Sequence, residues 1–287
     1  MKNLFAIILT TFALSNYSLA DVQVKWLGGP TLLIKFDDVT IITDPILGEG
    51  DKAYFMGDPN EPFDLNKGPN MKFHKRHTSV PKFDKSDVDY VLLSHGHEDH
   101  LDQKALKTFN KTKFIGAPND SSKKLELFSI LDWGQSLKLH TKNNGRIEIK
   151  AVPAYHSLNP SINKILGKGN SYFIKFIKED KSYGVYWSGD SFYRDEIKMA
   201  LKKDKIDLFI PHLGKVGMKG PLGQISMSNK DAIAMAKSLK IKRVLPIHHS
   251  TLELYQEKID SIVEHARNTN LLLDLIAEGS TLFLELD

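Results

Sequence analysis

Short apolar clusters and alternating positions mark out the elements of this chain. Val22–Leu27, Thr31–Phe36 and Val39–Asp44 carry the β-branched and aromatic residues of strands, joined by turns at Gly28–Gly29–Pro30 and Asp37–Asp38. The stretch from Pro45 to Ser86 has little periodicity and is rich in Gly, Pro and Asn, so it reads as a long loop. Val88–Ser94 is a buried strand, Gln103–Phe109 a helix and Lys113–Ala117 a strand. Further strands are expected at Leu137–His140, Ile147–Val152, Ser171–Ile177, Gly184–Ser188 and Ile206–Pro211, with a helix at Asp195–Lys202. Apolar residues recur at helical spacing over Asn229–Leu239. Arg243–Ile247 reads as a strand, Leu252–Asn268 as an amphipathic helix, and Leu271–Ile276 and Thr281–Glu285 as closing strands. No internal repeat or linker divides the pattern. The strands come in two batches, each ending in strand–helix units, which predicts two packed sheets with helices outside in one α/β domain.

The first residues follow a different rule. Met1–Lys2–Asn3 supplies one positive charge, Leu4 to Leu14 is almost wholly apolar, and Ser18–Leu19–Ala20 places small residues before Asp21. That is the pattern of a secretory signal peptide. The apolar run is shorter than the roughly 20 residues that span a bilayer. The expected division is a signal peptide over 1–20 and a single domain over 21–287, with a secreted, periplasmic location. An uncleaved anchor or a buried strand is the alternative.

Composition narrows the chemistry. The 287 residues hold 39 Lys+Arg against 35 Asp+Glu, 11 His and no Cys, for a formal net charge of +4. This excludes a disordered chain and a disulfide scaffold. So small a basic excess argues against nucleic acid as a partner. Without thiolates, any metal must be held by imidazole and carboxylate.

The segment that meets this requirement is Val91–Leu92–Leu93–Ser94–His95–Gly96–His97–Glu98–Asp99–His100–Leu101–Asp102. An apolar strand delivers three His and an Asp into one turn, which Gly96 allows to close tightly. His95 and His97, two apart, point the same way in extended chain. Asp99 and His100 follow the bend and address a second point. Imidazole nitrogens and a carboxylate suit Zn²⁺.

This segment resembles the His-x-His-x-Asp-His signature of the metallo-β-lactamase superfamily, and later positions follow in the family's order. His156 stands in Ala154–Tyr155–His156–Ser157, Asp190 in Trp187–Ser188–Gly189–Asp190–Ser191, and His248 in Pro246–Ile247–His248–His249–Ser250–Thr251. The resemblance implies an αββα four-layer sandwich. It also implies one ion on His95, His97 and His156 and a second on Asp99, His100 and His248, with Asp190 between them. Asp99 and Asp190 are then the candidate catalytic carboxylates. Two Zn²⁺ ions are the expected cofactors, with Mn²⁺ or Fe²⁺ also acceptable to such ligands. Asp190 has a second reading as a residue at a helix start. His248 competes with His249, since alternate side-chain direction argues against both binding one metal. Asp44 resembles the family's buried Asp that ties down the His-rich turn, or is a plain turn residue before Pro45.

The flanking text is similar to the N-acylphosphatidylethanolamine phospholipase D-like and ascorbate-6-phosphate lactonase-like members. It departs from them in having Gly29, Ser226 and Ser250 where they have His, His and Gly. The implied activity is zinc-dependent hydrolysis by water made acidic on the metals. The leaning is toward a phosphodiester, with a small-molecule or lipid substrate and peripheral membrane contact. A lactonase or other carbonyl hydrolase is the alternative, and a non-catalytic metal- or lipid-binding periplasmic protein is the reading of another class. Lys67 to Lys85 holds six Lys/Arg against one acid and is a candidate cover for an anionic group, or simply a solvated loop. Tyr54–Phe55–Met56 is a candidate lipid contact, and His212 is either a pocket residue or a packed one.

Overall fold

The computed structural model describes residues 21–118 and 128–287, so the expected signal peptide over 1–20 lies outside the described residues. In chain order the strands are β1 (Val22–Gly28), β2 (Thr31–Phe36), β3 (Val39–Thr43), β4 (Gly50–Gly57), β5 (Met71–Arg76), β6 (Tyr90–Leu92), β7 (Lys113–Gly116) and β8 (Phe128–Ile130). They continue with β9 (Ser136–His140), β10 (Arg146–Pro153), β11 (Asn170–Lys178), β12 (Lys181–Trp187), β13 (Leu208–Ile210), β14 (Arg243–Val244), β15 (Leu272–Leu273) and β16 (Thr281–Leu284). The helices are α1 (Gln103–Thr108), α2 (Pro160–Leu166), α3 (Asp195–Leu201), α4 (Asn229–Ser238) and α5 (Ser261–Ala266).

Two seven-stranded sheets carry the fold, in the orders β16-β1-β2-β3-β6-β7-β8 and β15-β14-β13-β12-β11-β10-β9. Alternation decides which side chains face inward. On β1, Val22, Val24 and Trp26 are buried while Gln23 and Lys25 are half-buried; on β10, Ile147, Ile149 and Ala151 do the same between Glu148 and Lys150. These inner faces meet in one core that also holds Ile34, Phe36, Tyr172, Ile174 and Trp187. Burying each such side chain stabilises by about 1.5–3 kcal/mol.

The helices lie outside. The outer face of the second sheet packs Phe173, Tyr186 and Phe209 against Ile197 of α3, Ile233 and Ala236 of α4 and Ile262 of α5. Ala105 of α1 sits with Ile42, Val91 and Phe114 on the outer face of the first. The result is the αββα four-layer sandwich of the α/β class. The helices run from 6 to 10 residues, below the roughly 12–15 at which an isolated helix is even marginal. Packing and caps hold them. Asp102 accepts from Ala105 N at the start of α1 and, through its other oxygen, from Leu47 N and Gly48 N. Ser228 and Asp231 form a capping box on α4.

Two expectations are corrected. The Pro45–Ser86 stretch is not one long loop, because β4 and β5 pair antiparallel with Tyr54 opposite His74 and Phe55 opposite Phe73. The outward face of this hairpin carries exposed Phe55 and Phe73 while His74 and Arg76 are buried. That inverts the usual alternation and hides the strands. The helix expected over Leu252–Asn268 is only α5. Residues before it form an isolated bridge at Leu252 and turns, tied down by Glu253 N to Lys75 O and Gln256 N to Gly214 O. Leu252 and Leu254 pack into a cluster with Ile46, Tyr54 and Ile225.

Strands β3, β6, β7 and β8 run parallel, as do β12, β13, β14 and β15. Their carboxyl ends are where open α/β sheets present ligand sites. Asp44 follows β3, the His-rich turn follows β6, Asp190 follows β12, His212 follows β13 and His248 follows β14.

Candidate metal centre

The site is assembled from six imidazoles and two carboxylates brought together from distant segments. Ligand atoms of His95, His97 and His156 lie within 4.8 Å of one another, and so do those of His100, Asp190, His212 and His248. Asp190 stands between the groups: its Oδ2 is 3.5 Å from His100 Nε2 and 3.8 Å from His156 Nε2, and its Oδ1 is 3.7 Å from His248 Nε2. Asp99 is buried at the edge, its Oδ2 3.9 Å from His100 Nε2. All seven residues singled out in the sequence therefore converge, and His212 joins them. His249 turns away, its ring tilted by 46° against Trp26 at 4.7 Å.

Hydrogen bonds fix which nitrogen each imidazole presents. Asp44 accepts from Ser94 N at 2.7 Å and from Ser94 Oγ at 2.6 Å, and its Oδ2 lies 2.8 Å from His100 Nδ1. His100 thus donates from Nδ1. Ser94 has one hydroxyl hydrogen, spent on Asp44, so its Oγ accepts from His95 Nδ1 at 2.9 Å. His156 Nδ1 donates to Ile225 O at 2.6 Å, and His248 Nδ1 to Leu213 O at 2.8 Å. Each of these four rings therefore turns Nε2, the nitrogen a metal would take, to the centre. The Nε2 atoms of His95, His100 and His248 are buried without a hydrogen-bond partner. Buried polar atoms are rarely left so, and lone pairs converging on one point are what a divalent cation requires. His97 faces His156 through Nδ1, 3.2 Å from His156 Nε2. The residues present fit a metal.

Electrostatics agree. Burial, with neighbouring His156 and His100, holds His97 down to about 3. Burial holds His248 down to about 3 as well. His95 is pushed well below its ordinary value by burial and by His100, His97 and His156. These rings are neutral, as metal ligands must be. Burial favours the protonated form of Asp190, but His248 and His100 outweigh it and hold the carboxylate well below its usual range. Burial raises Asp99.

Backbone conformation is also specialised here. His248 has φ +61°, a left-handed conformation uncommon for a residue with a side chain. Gly189, at φ +55°, allows the close approach of the Asp190 turn, since a Cβ there would lie 2.6 Å from Ser94 Cβ.

Above the cluster lies a cavity of about 240 Å³ lined by His97, Asp99, His156 and Asp190 and by Met56, Met71, Leu166, Val216, Leu222 and Ile225. No Lys or Arg is among its lining residues. Three of the six cations of the basic segment are engaged elsewhere: Lys72 pairs with Asp58 and Glu61, Lys75 with Asp51, and Arg76 is buried on Leu27 O, Ile46 O and Glu278. His212 does not line the cavity; it is fully buried behind Asp190.

Residues 23–248 match the family model described as Beta-lactamase superfamily domain. A UPF0173 metal-dependent hydrolase of Bacillus cereus strain B4264 is 27% identical over 190 residues, covering 63% of this chain and 76% of that protein. One from Enterococcus faecalis V583 is 27% identical over 212 residues, covering 70% and 87%. Among solved structures, a possible metal-dependent hydrolase from Veillonella parvula DSM 2008 superposes with a TM-score of 0.72 at 18% identity, covering 92% of this chain and all of that one. An isothiocyanate hydrolase from Delia radicum gut bacteria does so at 0.69 and 16% identity, covering 91% and 98%. Both structures share the fold.

Proposed function

The chain belongs to the metallo-β-lactamase superfamily and is a metal-dependent hydrolase, and from that premise we propose that it cleaves a small, uncharged, largely apolar ester or lactone on a two-ion centre. His95, His97 and His156 would hold one ion, and Asp99, His100 and His248 the second, with Asp190 shared. Zinc is the expected metal, with Mn²⁺ or Fe²⁺ as substitutes, and the N-terminal leader would place the protein in the periplasm. Bound divalent ions supply acidified water and polarise a carbonyl oxygen.

The chain's own residues supply the rest. Asp44 and Ser94 fix His95 and His100. Met56, Met71, Leu166, Val216, Leu222 and Ile225 hold the acyl portion and exclude bulk water. Asp99 lines the cavity and is placed to take the proton lost by the attacking water and return it to the leaving oxygen.

The observation that carries this reading is the cavity wall, which beyond the candidate ligands is apolar except for Glu98 and holds no Lys or Arg. A phosphodiester's charge would have to be met by the ions alone, with Glu98 opposing it. One feature favours the phospholipid alternative, the exposed Phe55–Phe73 ring pair at 5.0 Å on the β4–β5 hairpin.

The test is hydrolysis of p-nitrophenyl butyrate, γ-lactones, an aryl isothiocyanate, bis(p-nitrophenyl) phosphate and phospholipid vesicles, with zinc and with EDTA. EDTA-sensitive turnover of an ester or lactone should exceed that of the phosphodiester by about tenfold or more in kcat/KM, or about 1.4 kcal/mol of barrier. Faster cleavage of the phosphodiester or the vesicles replaces this reading with the lipid one, and faster cleavage of the isothiocyanate moves the substrate class away from esters.

A further inference from the structure

His212 is wired in the opposite sense to the other imidazoles. His95, His100, His156 and His248 donate outward from Nδ1 and turn Nε2 to the centre. His212 Nε2 lies 2.7 Å from Trp187 Nε1. An indole nitrogen only donates, so His212 Nε2 accepts. A neutral imidazole accepting there carries its hydrogen on Nδ1. That Nδ1 lies 3.1 Å from Asp190 Oδ1. An imidazolium would set N–H against N–H at Trp187.

We propose that His212 is a positioning residue for Asp190, and not a metal ligand. Its Nδ1–H, fixed by Trp187, holds Oδ1 and leaves Oδ2 to face His100 and His156. The inference rests on the reading of Asp190 as a shared ligand. A ligand nitrogen must be free of its proton. To bind through Nδ1, His212 would move that proton to Nε2, facing the indole N–H. Both side chains are fully buried, so the two donors would face each other with the desolvation of both left uncompensated. The surroundings resist a ring flip. His212 N donates to Ser188 Oγ at 3.1 Å, its ring stacks on His248 at 5.1 Å and 9°, and Trp187 stacks on Tyr172 at 5.7 Å and 14°.

Imidazole ¹⁵N NMR on the full protein decides the matter, in EDTA-treated and ¹¹³Cd-loaded forms. His212 should appear as the Nδ1–H tautomer in both, with no coupling to cadmium, while the ligand rings couple. Trp187→Phe should release His212 into mixed tautomers. His212→Phe should weaken zinc binding by about 10–100-fold in competition with a chromophoric chelator. His212→Asn, which keeps an N–H donor near the Nδ1 position, should recover most of that loss. Cadmium coupling at His212, or an Nε2–H tautomer in EDTA-treated protein, overturns the proposal, as does unchanged zinc affinity in a folded His212→Phe. If that variant does not fold, the wild-type spectra and His212→Asn still decide. A protein that takes up neither ion overturns the proposed function and the positioning role with it, and the tautomer in EDTA-treated protein then shows separately whether the hydrogen bond to Asp190 exists.

Discussion

Asp44 and His100 are 56 positions apart and share a 2.8 Å hydrogen bond in which both side chains are fully buried. The same carboxylate takes both donors of Ser94. Asp44 does this from φ +34°, outside the ordinary regions for a residue with a side chain, at a cost of about 1–3 kcal/mol. Its backbone N–H donates to Leu92 O at 3.0 Å, anchoring it at the end of β6. One residue therefore sets the direction of two imidazoles.

Replacing that carboxylate should loosen the centre without unfolding the sandwich. Asp44→Asn cannot accept from Ser94 N, Ser94 Oγ and His100 Nδ1 together, because one of its two terminal groups is a donor. Zinc affinity should fall by about 10–100-fold, measured by chelator competition with circular dichroism as the check on folding. Wild-type affinity in this variant would show that His95 and His100 need no such holder.

Metal removal should be legible in stability. Zinc at about 100 times its dissociation constant adds about 2.7 kcal/mol to the folded state. The urea midpoint of EDTA-treated protein should rise on adding zinc and saturate near two equivalents, as two ions require. An unchanged midpoint would count against ion binding by the folded protein.

The metal-free protein should also be sensitive to acid. Burial holds His97 and His248 down to about 3 and His249 down to about 4, while unfolded imidazole titrates near 6.5. Below about pH 6.5 the unfolded chain therefore binds protons that the folded chain refuses, and stability falls as pH falls toward the folded values. Burial lowers His95 and His212 as well, and five such groups give a slope of at most about 7 kcal/mol per pH unit. Burial lowers His100 too, but Asp190, Asp99 and Asp44 outweigh it and hold it well above the ordinary value. Below about pH 6.5 the metal-free His100 is therefore protonated in both states and drops out, and a bound ion would displace its Nε2 proton. Asp99, raised by burial, opposes part of the loss. The urea midpoint in EDTA should drop between pH 7 and pH 5, and a flat or rising midpoint would contradict neutral buried imidazoles.

The cavity wall can be tested by giving it a charge. Met71 lines the cavity and is exposed. Met71→Arg should lower kcat/KM for a neutral ester by about tenfold, the worth of about 1.4 kcal/mol of apolar contact, with two zincs still bound. A gain on the ester would place the substrate elsewhere.

Much of the metal centre was readable because its chemistry is concentrated in one short turn and repeated at strand ends. His95 to His100 are contiguous, and His156, Asp190 and His248 each follow an apolar run. The part played by His212 was not readable. It depends on Trp187, 25 positions away, brought alongside by the parallel pairing of β12 with β13. Donor and acceptor roles come from that neighbour, which no spacing rule reports. The β4–β5 hairpin was hidden because its aromatic residues face outward. The helix expected from Leu252 onward failed because Leu252 and Leu254 fill a cluster beside Tyr54, so tertiary packing overrode helical spacing.

His95, His97, Asp99 and His100 leave the first sheet after β6, whereas His156, Asp190 and His248 leave the second after β10, β12 and β14. An ion seated among them is a rivet through the sandwich. The greasy interior holds the two walls face to face along their length, but at this rim a cation would be the fastening. Loading and emptying the centre then becomes a mechanical event, in which the rim of the sandwich is clamped or released while its middle stays closed.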